Sequence, residues 1–163
     1  MSASSLDSRS GPLLRGKADS LYSGTMIARP EIGNYLPHKD SMLLLDRIVE
    51  YDLEKPRLVS EVDVGERDLF YRKELGGVPA YVGFEYMAQS IAALSGVNTR
   101  EHGGGEPKIG FIMSIRAFTT DVPSYPAGKT VCVSVSEIFR EASVVSFDCA
   151  VSLDGATVTK AVV

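Results

Sequence analysis

"GVPAYVGFEYMAQSIAALSG", residues 77–96, decides the fold. A proline-bearing turn runs straight into a segment in which Phe84, Met87, Ala88, Ile91 and Leu94 or Ser95 recur at helical spacing. Ala, Met, Gln and Leu are good helix formers, and Gly96 weakens the last turn. Gly83, Ala88, Ser90, Ala92, Ala93 and Ser95 cover much of the remaining surface. A helix that is small and apolar nearly all round is expected to be surrounded by protein. Its single acidic residue, Glu85, sits in the first turn.

Working outward, the flanks read as strands. Upstream, "IARPEIGNYLPHKD" is punctuated by Pro30 and Pro37, with one helical turn predicted over 31–36. The apolar run "SMLLLDRIVEYDLE" predicts a strand from about Leu43 to Asp52, and "RLVSEVDV" alternates as a second strand. "GERDLFYRKELGG" reads as a loop. Downstream, "TREHGGGEPK" ends the helix in a glycine-rich loop, "IGFIMSIRAFTT" reads as a strand and "PSYPAGKT" as a turn. "VCVSVSEIFRE" alternates, and Asp154-Gly155 is a hairpin signal between two further strand runs. Two strands, one long buried helix and three or four antiparallel strands imply an α+β class. A curved antiparallel sheet wrapped around one long central helix, the hotdog architecture, satisfies this pattern. Such a sheet leaves an edge, which favours pairing with a second subunit.

The chain has 163 residues, enough for one domain. Residues 1–26 read as a flexible N-terminal tail without the apolar core of a signal peptide, and residues 27–163 as the single folded domain. A net charge of −4 gives wholesale nucleic-acid binding no electrostatic support. No apolar run reaches the roughly 18 residues needed for a membrane span. Cys132 and Cys149 lie in apolar strand-like runs and read as buried free thiols of a reducing compartment, a disulfide between neighbouring strands being the other reading. A cytoplasmic location is expected.

A carboxylate within a buried helix costs several kcal/mol unless it is paired or functional. Glu85 can favour the helix dipole or face solvent near the helix start. It can also handle a proton beside backbone N–H groups that stabilise a developing enolate oxygen. Gln89, four residues on, lies on the same face and can hydrogen-bond Glu85 in either case. A second acid–base group must come from few candidates. His102 lies in the glycine-rich loop and reads as surface, whereas His38 follows Pro37 just ahead of the first strand. His38 can equally cap or hydrogen-bond a neighbouring loop.

"YLPHKDSMLLLDRIVEYD" resembles the N-terminal signature of the 3-hydroxyacyl-[acyl-carrier-protein] dehydratases, roughly L-P-H-x-x-P-x-L-L-V-D-R-V. "VPAYVGFEYMAQSIAALSG" resembles their M-P-G-V-L-x-x-E-x-x-A-Q helix, and "FIMSIRAF", "YPAGKTVCVSVS" and "FDCAV" follow in that family's order, over about residues 30–161. Two departures matter. The family's G-H-F-P histidine, fourteen residues before the carboxylate, falls on Tyr71, and its P-G is Pro79-Ala80. Both are similar to a narrower branch, the hotdog dehydratases associated with aryl-polyene-type pigment and lipid synthesis, which read V-P-A-x-V-G-x-E-Y-M-A-Q. The resemblance implies dehydration of 3-hydroxyacyl thioesters on acyl-carrier protein, without metal or organic cofactor, by a homodimer or a heterodimer with a related dehydratase. It implies a catalytic Glu85 with His38, Tyr71 or a partner's group as the second residue. Pro79, Ala80, Tyr81 and Gln89 would bind substrate, the Ala80 and Tyr81 amides facing the thioester oxygen. Lys39, Arg72, Lys73 and Arg116 are candidates for docking an acidic carrier, and equally for solvated surface charge. An acyl thioesterase, in which Glu85 activates water, and a non-catalytic partner subunit are the alternatives.

Overall fold

The computed structural model describes residues 26–106 and 110–163, so all of the expected tail but Met26 lies outside the described residues. Strands β1 (Ile27–Ala28), β2 (Arg47–Asp52) and β3 (Arg57–Asp63) precede a short strand β4 (Gly77–Pro79). The chain then turns through a 3-10 segment, Ala80–Val82, into helix α1 (Gly83–Glu101). Strands β5 (Arg116–Thr120), β6 (Ser124–Pro126), β7 (Thr130–Glu141), β8 (Val144–Leu153) and β9 (Ala156–Val162) follow. Seven of them form one antiparallel sheet in the order β1-β2-β3-β7-β8-β9-β5, and β4 pairs with β6. The sheet wraps α1, which packs against β3, β7 and β8. This is the hotdog fold.

Alternation explains the wrapping. Leu58, Ser60 and Val62 of β3 lie opposite Val135, Val133 and Val131 of β7, and Val151 and Cys149 of β8 continue the row. All of these side chains are buried on one face, as a period of two requires. The polar member, Ser60, bonds Ser90 Oγ at 2.8 Å, and Ser90 donates to the Tyr86 carbonyl at 2.7 Å, so the helix–sheet contact buries no unpaired hydroxyl there. Asp154 and Gly155 have φ of 50° and 83°, the paired left-handed conformation of a tight hairpin between β8 and β9.

Several expectations are corrected. The helix runs on through Gly96 to Glu101 and ends at His102, past the start of the stretch read as loop. Gly96 is there for contact: a Cβ at this position would lie 1.9 Å from the Tyr35 carbonyl oxygen. The buried face of α1 is Gly83, Tyr86, Met87, Gln89, Ser90, Ala93, Leu94, Gly96 and Val97. Phe84, Ala88 and Ile91 are half-buried and Ser95 is exposed, because the sheet covers one side of the helix and this chain leaves the other side open. The strand predicted from Leu43 begins only at Arg47, and that predicted over 109–120 is confined, among the described residues, to Arg116–Thr120, residue 109 lying outside them. Phe111 and Met113, ahead of β5 at the sheet edge, are more than four-fifths exposed. The expected turn 123–130 holds β6. Cys132 and Cys149 are free thiols, set three registers apart on β7 and β8. No helix among the described residues is long and apolar enough to cross a membrane.

Candidate active site

His38 is aimed by its own segment. Ile32, within the 3-10 turn Glu31–Asn34, and Leu36, just after it, are fully buried anchors. Pro37 has its φ fixed by its ring, and Lys39 Nζ folds back onto the Gly33 and Leu36 carbonyls at 2.6 and 3.4 Å. The corner lays His38 across the first turn of α1, with Nε2 3.7 Å from Glu85 Oε1 in the same chain. Both side chains are partly open to solvent, at 28% and 23% exposure. At 3.7 Å the pair is looser than a hydrogen bond, a spacing common in ligand-free acid–base sites. His38 Nδ1 is buried without a partner among the described residues. A buried N–H lacking an acceptor is costly, so the neutral ring carries its proton on Nε2, toward Glu85.

Gln89 is completely buried. Its Nε2 donates to Glu85 Oε1 at 2.9 Å and to the Met42 carbonyl at 2.7 Å, and its Oε1 accepts the Leu44 N–H at 2.9 Å. With its amide thus occupied inside the protein, Gln89 has nothing left to offer a substrate. Tyr71 lies in the turn before β4; its hydroxyl bonds neither His38 nor Glu85, and has no hydrogen-bond partner among the described residues.

The turn into the helix is built from Pro79, Ala80 and Tyr81. Pro79 and Ala80 are buried and Tyr81 is 63% exposed. The Ala80 N–H donates to the Pro123 carbonyl at 3.0 Å and is therefore not free to meet a thioester oxygen. The amides of Tyr81 and Val82 follow at the helix start, with no acceptor outside their own helix among the described residues, and carry its partial positive charge. Tyr125, fully buried on β6, holds this turn. Its hydroxyl donates to the Ala80 carbonyl at 3.1 Å and meets Thr159 Oγ1 at 2.8 Å, and burial pushes its phenol up to about 12. A Cβ on Gly83 would lie 2.1 Å from that hydroxyl, and one on Gly77 would lie 2.1 Å from the Tyr125 carbonyl oxygen. The two glycines are the only trace of Tyr125's role in the sequence.

A cleft of about 180 Å³ opens beside the segment after His38, lined by Asp40, Leu43, Asp46, Asp68, Phe70 and Tyr86 among others. Neither His38 nor Glu85 lines it, and its carboxylates suit water better than an acyl chain. The pair lies outside this cleft and is itself partly open to solvent.

A hotdog sheet and helix with a histidine–carboxylate pair at the helix start define the class: a hotdog-fold protein carrying a candidate acid–base pair. Comparison narrows it. The family model for the ApeP dehydratase, described as ApeP-like, matches residues 30–163, and the chain belongs to that family. Among curated proteins it is 34% identical over 70 residues to the 3-hydroxyacyl-[acyl-carrier-protein] dehydratase FabZ of Chlamydia caviae, covering 41% of this chain and 46% of that one. It is 27% identical over 85 residues to the FabZ of Protochlamydia amoebophila, covering 52% and 54%. The aligned part thus spans about half the length of the curated relatives it matches. Among solved structures, the dehydratase heterocomplex ApeI:P from Xenorhabdus doucetiae superposes with a TM-score of 0.74 at 22% identity, over 80% of this chain and 86% of that one, a likeness of fold.

Proposed function

We propose that residues 27–163 form one subunit of a dehydratase acting on 3-hydroxyacyl thioesters borne by acyl-carrier protein, in aryl-polyene-type pigment or related lipid synthesis. The observation that carries the reading is the placement of His38 Nε2 3.7 Å from Glu85 Oε1, beside the turn into α1. One member of the pair takes the proton from C2, the C2–C3 double bond forms as the C3–O bond breaks, and the other member delivers a proton to the departing hydroxyl, which leaves as water. The Tyr81 amide stabilises the thioester oxygen as negative charge gathers on it. No cofactor enters the balance. Supporting the choice of partner, the solved structure of like fold is a heterocomplex, and the uncovered stretch Phe111–Ile115 with edge strand β5 suits a second hotdog subunit. Cytoplasmic residence accords with a carrier-bound substrate.

The test is turnover of a 3-hydroxyacyl-carrier-protein by the purified chain, alone and with a related hotdog dehydratase, read by enoyl absorbance and by thiol release. Enoyl product that disappears in Glu85→Gln, with loss on the order of 10²–10⁴ in rate, supports the reading. Thiol release without enoyl product would make the chain a thioesterase. Carrier binding without turnover in either setting would make it a non-catalytic partner.

A further inference from the structure

Resting on that reading of the His38–Glu85 pair, we infer that Gln89 is the positioning residue that assembles it, by locking the His38 segment onto the helix in a single register. Three hydrogen bonds leave one buried amide, and they join two parts of the chain 45 and 47 residues apart. Oε1 takes the Leu44 N–H; Nε2 gives one proton to the Met42 carbonyl and one to Glu85 Oε1. The amide has only one workable orientation. Turned over, its NH₂ would face the Leu44 N–H, and its oxygen would face the Met42 carbonyl and the Glu85 carboxylate. Leu44 and Met42 belong to the apolar stretch that does not join the sheet until Arg47. Their backbone groups would otherwise lack partners in a part-buried position, so the clamp also explains why this stretch is not a strand.

The clamp has a chemical consequence. It occupies Glu85 Oε1, the oxygen nearest His38, and leaves Oε2 as the one with no hydrogen bond among the described residues. Oε2 is then the oxygen that exchanges a proton with substrate, while Oε1 is held against Gln89 and faces the imidazole.

The experiment uses the full chain and its Gln89→Met variant, which keeps the volume and removes all three bonds. With the carrier-bound substrate, kcat is expected to fall on the order of 10²-fold, as a displacement near 1 Å at a reacting group does, with KM changing less than about 3-fold. Two readouts do not depend on turnover. The Leu44 amide, protected in the wild type, is expected to exchange at least 10-fold faster in the variant. The ring-nitrogen resonances of His38 are expected to move from a single Nε2–H tautomer to a mixture, with His102, the other histidine of the chain, as internal reference. Gln89→Glu keeps an acceptor for Leu44 but no donor for Glu85, so it should preserve the slow amide and still lose kcat. If the variants do not fold, the wild-type Gln89 NH₂ protons decide: both should exchange slowly, and one alone should shift in Glu85→Ala. An unprotected Leu44 amide in the wild type, or an unchanged His38 signal and kcat in folded Gln89→Met, would overturn the inference. If the wild type shows no dehydration, the function fails, and the exchange and resonance data still decide the clamp.

Discussion

Gly96→Ala should damage a site that lies about 16 Å away along the helix. Alanine is the better helix former by roughly 0.8–1 kcal/mol, so on propensity alone the change would stabilise α1. The added Cβ, however, would sit 1.9 Å from the Tyr35 carbonyl oxygen, and clearing even the 3.0 Å floor of real contacts needs a shift of about 1.1 Å. Overpacking of this kind costs about 1–3 kcal/mol, which outweighs the propensity gain. A net loss near 1 kcal/mol corresponds to a melting temperature lower by about 2–4 °C for a chain of this size. Tyr35 stands three residues before His38 on a segment stiffened by Pro37, so the shift is passed to the imidazole and lengthens its 3.7 Å approach to Glu85. A displacement of that size at a reacting group is expected to lower the dehydration rate by up to about 10²-fold. Scanning calorimetry and enoyl absorbance measure the two effects. Ser95→Ala, one position back and exposed, is the control and should lower neither. A Gly96→Ala protein that melts at or above the wild type and turns over at its rate would refute the reasoning.

His38→Ala is expected to lower turnover far more than Tyr71→Phe, with little change in melting temperature for either; equal effects in steady-state assays would remove His38 from the pair. Tyr125→Phe leaves the Thr159 hydroxyl and part of the Ala80 carbonyl without their buried partner, an expected loss of about 1–3 kcal/mol, measurable by urea denaturation. Burial pushes the Cys149 thiol up to about 12, above its unfolded value near 8.5. Its protonated form is therefore favoured by folding, and the stability this provides is fully present below about pH 8.5 and lost as pH rises toward 12. Cys149→Ser should flatten that alkaline decline, and an aromatic disulfide reagent at pH 8 should reach Cys149 only after unfolding.

The long hairpins and the helix were legible because a single physical rule governs each. Alternation in β7 and β8 needs only one buried face, and Asp154-Gly155 needs only a left-handed turn. The apolar runs 43–46 and 109–115 misled for the opposite reason: hydrophobicity says that a side chain avoids water and not what its backbone bonds. Leu44 gives its N–H to a side chain of the helix, and Phe111 remains exposed on this chain. Phe84, Ala88 and Ile91 have core spacing yet lie half open, since a helix stripe does not say whether the same chain or another covers it. Glu85 and His38 could be nominated by residue type and by resemblance. Their approach depends on Gln89 and on the contact of Gly96 with Tyr35, both of which join distant parts of the chain. Tyr125 stood outside any pattern, its place recorded only by two glycines that give it room.

The Tyr125 hydroxyl has one proton, and it goes to the Ala80 carbonyl. Thr159 must then donate to Tyr125, whereas Thr120, on the edge strand β5, gives its own proton to the Val122 carbonyl at 3.1 Å. The Thr159 and Tyr125 hydroxyls therefore form a one-way relay to a single peptide group. That peptide joins Ala80 to Tyr81, so the oxygen receiving the relay and the Tyr81 N–H belong to the same conjugated unit. Drawing electron density toward the oxygen makes the nitrogen's proton more positive, the usual cooperativity of linked hydrogen bonds. The first amide of the helix is thus polarised from behind, by groups that never approach a substrate.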